Sequence, residues 1–403
     1  MKTKILAFIL KMFLVFFLLG CVNTNTITSE TSSPSLPQTT STETPTPVLQ
    51  PTNFTKTPST IIRDNLMIAL ASKDYGDIFL VALGTGDRQR LEISGDTVIN
   101  VIGWATNGCT LFVETEKQRI FKVDIKGNIL GEIADINSLN LEAAIARIRI
   151  SPDEQWMALI LGTGNQEFTS YEFQNLVTIS SQDSKEIFKL TEDGVVNDVS
   201  WKFDSTMVAF TDKDNDNIQQ IFVSSPNGSN RAQLTHLNKM SLTIRSLKWS
   251  STGEKIAFVI LDEEKQESYL GIVETRDTDN LIFINSVIGV NEFFWLPNDR
   301  IIADILPSGK DPSKLADRAI AWFDSDTGQE VERISPENLP GEVFQLPSLL
   351  ANSDRIGFFS DENFYAYDTS SMQIEKGFDM FADVRYWISA PKEIEEESCK
   401  TPE

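Results

Sequence analysis

Past residue 64 the chain alternates short apolar runs with polar turns, and the alternation itself repeats. Val101-Ile102-Gly103-Trp104, Val199-Ser200-Trp201, Leu247-Lys248-Trp249 and Phe293-Phe294-Trp295 each end a run on tryptophan. A polar turn follows, then a second apolar run: Thr110-Leu111-Phe112-Val113, Val208-Ala209-Phe210-Thr211, Ile256-Ala257-Phe258-Val259 and Ile301-Ile302-Ala303. Two weaker copies put Ile150 and Leu349 in the tryptophan place, ahead of Met157-Ala158-Leu159 and Ile356-Gly357-Phe358. Third strands such as Phe121-Lys122-Val123 and Ile221-Phe222-Val223 lead into Gly- or Asn-bearing turns, and a short closing strand such as Gln233-Leu234-Thr235 ends the unit. Short runs of period two bounded by turn residues are strands, and four strands per repeat is the pattern of a propeller blade.

The tryptophan-equivalent positions 104, 150, 201, 249, 295, 349 and 387 lie on average about 47 residues apart, a blade-sized interval. The first segment, from Leu66 to Ile93, holds three strands and lacks an opening one; Val384-Arg385-Tyr386-Trp387-Ile388 is an opening strand with no blade after it. These fragments complement each other. The expected fold is an all-β, seven-bladed propeller over 64–390, closed without covalent linkage by the C-terminal strand pairing into the first blade. Six blades with an unpaired pseudo-blade is the alternative. Closure removes the open sheet edges that would invite aggregation.

The repeat resembles the TolB-type, WD-repeat-like propeller of bacterial envelope proteins, most plainly in Phe210-Thr211-Asp212-Lys213-Asp214-Asn215-Asp216-Asn217 and in the run from Ile221 to Thr235. A Trp-Ser-x-x-Gly turn occurs intact as Trp249-Ser250-Ser251-Thr252-Gly253. The resemblance implies a propeller and an envelope location, not a function.

The N-terminus points the same way. Lys2 and Lys4 precede an apolar stretch from Ile5 to Leu19, too short for a bilayer span and fitting a signal peptide over residues 1–20. It ends Leu18-Leu19-Gly20-Cys21, which resembles the lipobox of bacterial lipoproteins. That likeness implies cleavage before Cys21, diacylation of its sulfur (palmitate being a typical acyl group) and stable membrane attachment on the extracytoplasmic side. From Val22 to Arg63, 25 of 42 residues are Ser, Thr or Pro. Such a segment buries too little to order itself and reads, with Cys21, as a linker over 21–63. Residues 391–403 read as an acidic C-terminal tail.

Charge narrows the partners. With 35 Lys and Arg against 58 Asp and Glu, the net charge is −23, and a surface of that sign repels nucleic acid. Partners are expected among envelope proteins, peptides or glycans, with the membrane reached through the lipid anchor.

Catalytic arrangements are scarce. His236 is the single histidine and reads as an exposed turn residue; no Gly-x-Ser-x-Gly elbow occurs, so a Ser-His-Asp hydrolase lacks its parts. No cofactor is expected, Ca²⁺ excepted: Asp212, Asp214 and Asp216 alternate in a way that lets oxygen ligands converge on calcium, whereas the other reading is a hairpin turn. A carboxylate-only glycan-active enzyme at the channel mouth is the alternative to a non-catalytic binding module. For binding, the residues four before each tryptophan place, Asn100, Ala146, Asn197, Arg245, Asn291, Gln345 and Asp383, are polar in all cases but Ala146. They would ring one mouth of the channel, or else mark strand-leading loops that are polar anyway. Once Cys21 is lipidated, Cys109 and Cys399 remain; the turn holding Cys109 and the tail holding Cys399 fall on the same face, within reach of a disulfide that would latch the ring, against two free thiols.

Overall fold

The computed structural model describes residues 67–72, 78–93, 95–139, 141, 144–163, 172–181, 186–192, 194–277, 280–284, 289–307, 317–335, 338–340, 344–351, 355–360, 363–379, 384–391 and 399. The signal-like segment, Cys21, the Ser/Thr/Pro-rich stretch and most of the acidic tail lie outside them. The described strands form seven four-stranded antiparallel sheets, which are seven blades. Six follow chain order, with inner strands Val98–Trp104 (blade 2), Ala144–Ile150 (blade 3), Val199–Trp201 (blade 4), Leu242–Trp249 (blade 5), Phe293–Trp295 (blade 6) and Phe344–Leu350 (blade 7). In blade 1 the inner strand is Val384–Ser389, laid antiparallel against Met67–Ser72, so the last strand of the chain closes the ring.

The apolar alternation explains the layout. Successive side chains leave opposite faces of a strand, and both faces of an inner sheet are covered by neighbouring sheets. The core is therefore not one mass but seven wedges, each drawing buried residues from two adjacent blades. Four tryptophans pin these wedges. The indole Nε1 of Trp201, Trp249 and Trp295 donates to the backbone oxygens of Arg149, Ser200 and Lys248 on the preceding inner strand, at 3.1, 3.1 and 2.9 Å. Trp104 does the same to Ile388 at 3.1 Å. A buried indole N–H left unpaired would cost roughly 1–3 kcal/mol, so each bond fixes the angle at which one blade meets the next.

The turn after the inner strand is shared even where its residues differ. In blades 2 to 6 its backbone N–H groups at Gly108, Glu154, Ser205, Gly253 and Asp299 donate three residues back, and each of these five residues has a positive φ of 59–71°. The Trp-Ser-x-x-Gly turn survives intact in blade 5, where a Cβ on Gly253 would come within 2.5 Å of Lys202. Elsewhere Glu, Ser and Asp occupy the same left-handed corner.

The closing strand departs from the sequence alignment in one respect. The tryptophan place pairs with the start of the second strand: Trp104 with Leu111, Trp201 with Val208, Trp249 with Ile256 and Trp295 with Ile301. In blade 1 the residue so placed, opposite Ile68, is Ser389 rather than Trp387. Trp104 accordingly bonds to Ile388, the residue before Ser389, as its counterparts bond to the residue before theirs. Trp387 stands two residues earlier and fills the wedge between blades 7 and 1, edge-on to Phe364 at 5.5 Å and Phe359 at 6.1 Å. Room for it comes from Gly357, where a Cβ would sit 2.7 Å from the indole and 2.6 Å from Phe364. The vacated place suits serine, since Ser389 Oγ accepts the Ala351 N–H at 3.0 Å.

Cys109, in the turn after the inner strand of blade 2, is disulfide-bonded to Cys399, 290 residues on. The bond fastens the chain beyond the closing strand to the neighbouring blade. Under non-reducing conditions Cys399→Ser should lower the unfolding free energy by about 2–4 kcal/mol in urea titrations. Superimposable curves would mean that strand pairing alone sets the stability of closure. Gly357→Ala should cost about 1–3 kcal/mol by overfilling the wedge that holds Trp387, and a wild-type melting curve would contradict that account of the glycine.

Candidate functional site

The channel is bounded by the seven inner strands, and their alternation decides what it presents. The residues at and two before the tryptophan place go into the wedges: Ile148, Val199, Leu247 and Phe293 are buried. The residues one and three before it lie on the other side. In blades 3 to 6 these are Arg147 and Arg149, Asp198 and Ser200, Ser246 and Lys248, Glu292 and Phe294. Arg149 of blade 3 is influenced by the Glu292 carboxylate of blade 6, which no single interface connects to it, as expected of side chains that meet across the axis.

These groups form a charged arc. Arg147 donates to Asp198 at 2.6 Å and to the Asn197 carbonyl at 3.3 Å. The other Asp198 oxygen accepts the Leu247 N–H at 3.2 Å, so this nearly buried carboxylate ties blades 3, 4 and 5 together. Lys248 donates to Glu292 at 3.2 Å and to the Phe293 carbonyl at 2.7 Å, with its ammonium 4.1 Å from the centre of the Phe294 ring. Arg149 approaches Asp198 only to 4.0 Å and donates to the Ile148 carbonyl at 3.3 Å. Burial pulls the Arg149 pKa down, opposed by Asp198, reinforced by Arg147 and opposed again by Glu292. Even so lowered, a guanidinium stays charged at neutral pH.

At the mouth, three of the positions four before the tryptophan place, Asn100, Asn197 and Asn291, are bonded within the protein. Asn197 donates through Nδ2 to the Ile244 carbonyl of blade 5 at 2.9 Å. Asn291 donates to Asp304 at 3.3 Å, beside the ion pair that Arg318 makes with Asp304 at 2.5 Å. Asn100 donates to Glu114 at 3.2 Å, and burial raises the Glu114 pKa against that hydrogen bond. Ala146 and Arg245 each occupy the extra residue of a bulge in their inner strands. A bulge re-aims its side chain, and Arg245 projects to solvent, exposed. The side chain of Gln345, and Asp383 altogether, lie outside the described residues. With Ser389 in the tryptophan place, the closing-strand residue four positions back is Arg385, not Asp383.

Asp212, Asp214 and Asp216 do not converge. Asp212 is buried and takes Arg231 at 2.6 Å, that guanidinium lying 4.4 Å from the Phe222 ring centre. Asp214 accepts from the Asp216 and Ile218 N–H groups and from Gln220, an Asx turn whose hydrogen bonds hold its pKa low against burial. Asp216 is exposed and Asn217 has a φ of 63°. The geometry is that of a hairpin turn, and among the described residues no group of three His, Cys, Asp or Glu side chains could hold a metal ion. His236 is exposed, its Nδ1 3.1 Å from the Gln233 amide nitrogen.

The channel residues Arg147, Arg149, Asp198, Lys248 and Glu292 were not singled out by the sequence. Their signal is present as a charge one or three places before the tryptophan position in blades 3 to 6, most plainly in Arg147-Ile148-Arg149-Ile150, where polar and apolar residues strictly alternate.

No family model matches the sequence, and no curated protein matches it. Solved structures do resemble the fold. An oligogalacturonate lyase from Vibrio parahaemolyticus superposes with a TM-score of 0.56 at 13% identity, covering 78% of this chain and 94% of that one. An oligogalacturonate lyase in complex with manganese gives 0.54 at 13% identity, covering 80% and 84%. TolB from Acinetobacter baumannii gives 0.44 at 15% identity, covering 82% and 68%. At such identities the likeness speaks for architecture alone: the chain is a seven-bladed β-propeller closed by its own last strand.

Proposed function

We propose that the protein is a non-catalytic binding module, displayed on the extracytoplasmic side of a membrane through lipid on Cys21, that engages an envelope protein, peptide or glycan at its channel. The observation that carries this reading is the channel arc. Charged side chains are held on rigid inner strands with donors of Arg149 and Arg245 left for a ligand, which is how a preformed recognition site is built. A binding role needs nothing further.

The carboxylate-enzyme alternative would draw on Glu114, whose raised pKa is the property of a general acid. Its second carboxylate is the difficulty, because Asp198 and Glu292 on the described channel wall are both engaged in ion pairs.

Two measurements test the proposal. Cys21→Ser should move the full-length protein from the membrane fraction to the soluble fraction; retention on the membrane would remove the lipid anchor from the reading. Capture from solubilised membranes by the wild type should yield a partner that is lost about tenfold or more with Arg245→Ala combined with Lys248→Ala. Undiminished capture would move the site away from the channel, and turnover of a glycan abolished by Glu114→Gln would favour the enzyme.

A further inference from the structure

The described channel wall does not share the acidity of the chain. Against a net charge of −23, its inner-strand arc carries three cations, Arg147, Arg149 and Lys248, and two carboxylates, Asp198 and Glu292. Two cations are used up by those carboxylates, Arg147 on Asp198 at 2.6 Å and Lys248 on Glu292 at 3.2 Å. Arg149 is the remainder. It stands 4.0 Å from a carboxylate already held by Arg147 and by the Leu247 N–H, and it satisfies one donor on the Ile148 carbonyl. A guanidinium is a planar fork of N–H donors suited to two parallel bonds to one carboxylate, and most of this fork is unspent. Its side chain keeps 42% of its accessible surface, so the unspent donors are open to solvent. Desolvation without a full counter-charge is also what lowers its pKa.

Around the rest of the ring, Gly103 in blade 2, Ser348 in blade 7 and Ile388 in blade 1 occupy the place that Arg149 has in blade 3, so these three blades put no charge there, while Glu292 of blade 6 is already held by Lys248. A ligand matching this wall carries an anion on the flank that meets Arg149. Sugar rings are usually held on open aromatic faces. Among the described side chains the channel offers only Phe294, whose ring has the Lys248 ammonium 4.1 Å from its centre, while the indoles of Trp104, Trp201, Trp249 and Trp295 are turned into the wedges and bonded to backbone. We infer that the channel accepts an extended peptide segment whose Asp or Glu carboxylate docks on Arg149. This rests on the channel being the binding site and adds the chemistry of its ligand. The long-range field of so acidic a protein repels such a peptide, so a preference for acid has to arise locally, at this residue.

The test is selection of a displayed random-heptapeptide library on the immobilised full-length protein at about 0.15 M salt, followed by fluorescence polarisation of the best peptide against the wild type, Arg149→Gln and Arg149→Lys. The selected pool should be enriched in Asp and Glu. The best peptide should lose about tenfold or more in affinity for Arg149→Gln, or when its acid is replaced by the amide, while Arg149→Lys keeps an intermediate affinity. Unchanged melting curves for both variants separate loss of recognition from loss of fold. An acid-poor pool, or equal binding by Arg149→Gln, would overturn the inference while leaving a binding module in place. Failure to select any peptide would count against peptide recognition and the channel-binding reading together. Arg149-dependent binding of an oligogalacturonate in place of peptides would keep the anion receptor and reassign its ligand to a glycan, overturning the peptide.

Discussion

Everything in this ring depends on the angle between neighbouring blades, and that angle is set where an inner-strand side chain is wedged against the preceding blade. In four of the interfaces the wedge is an indole that also donates to the neighbour's backbone, so apolar burial and a directional bond act at one point. Where Ile150 and Leu349 replace tryptophan the directional bond is absent, and surrounding apolar residues hold the wedge. Between blades 7 and 1 the load shifts to an aromatic nest built around Trp387. A closed ring tolerates such exchange because errors in angle must cancel around the circle. One interface can be made differently if its neighbours are well defined.

This explains what could be read from the sequence and what could not. Strand count, blade count and closure followed from a period that many residues share, so losing the tryptophan in blades 3 and 7 did not hide it. The register of the closing strand depended on a single landmark, and Trp387 misled by two positions because tryptophan fills either layer of a wedge. Only the pairing of Ser389 with Ile68, together with the space left by Gly357, distinguishes the layers. The mouth residues illustrate a different limit. Their polarity was visible, but Asn197 and Asn291 face backbone and carboxylate of their own protein, and whether an amide serves the fold or a ligand is a matter of what lies within about 3 Å of it.

Arg149 occupies the reverse position. Its sequence neighbourhood marks it only as one of two arginines alternating with isoleucine, and a charged residue on a strand usually faces water at a sheet surface. Its isolation emerges from the pairing of Arg147 with Asp198 and of Lys248 with Glu292, contacts that run between blades roughly fifty residues apart. Electrostatic surplus inside a ring is a property of the assembled circle.

The bond between Cys109 and Cys399 has a topological consequence. It makes a covalent circuit of the chain from blade 2 around to the tail, so a protease that nicks any connection within that stretch releases no fragment. The cut product is a two-chain molecule whose halves remain joined by sulfur at one place and by sheet pairing elsewhere. Intactness of the polypeptide and integrity of the ring thereby become separate properties, and the protein can lose the first without losing the second.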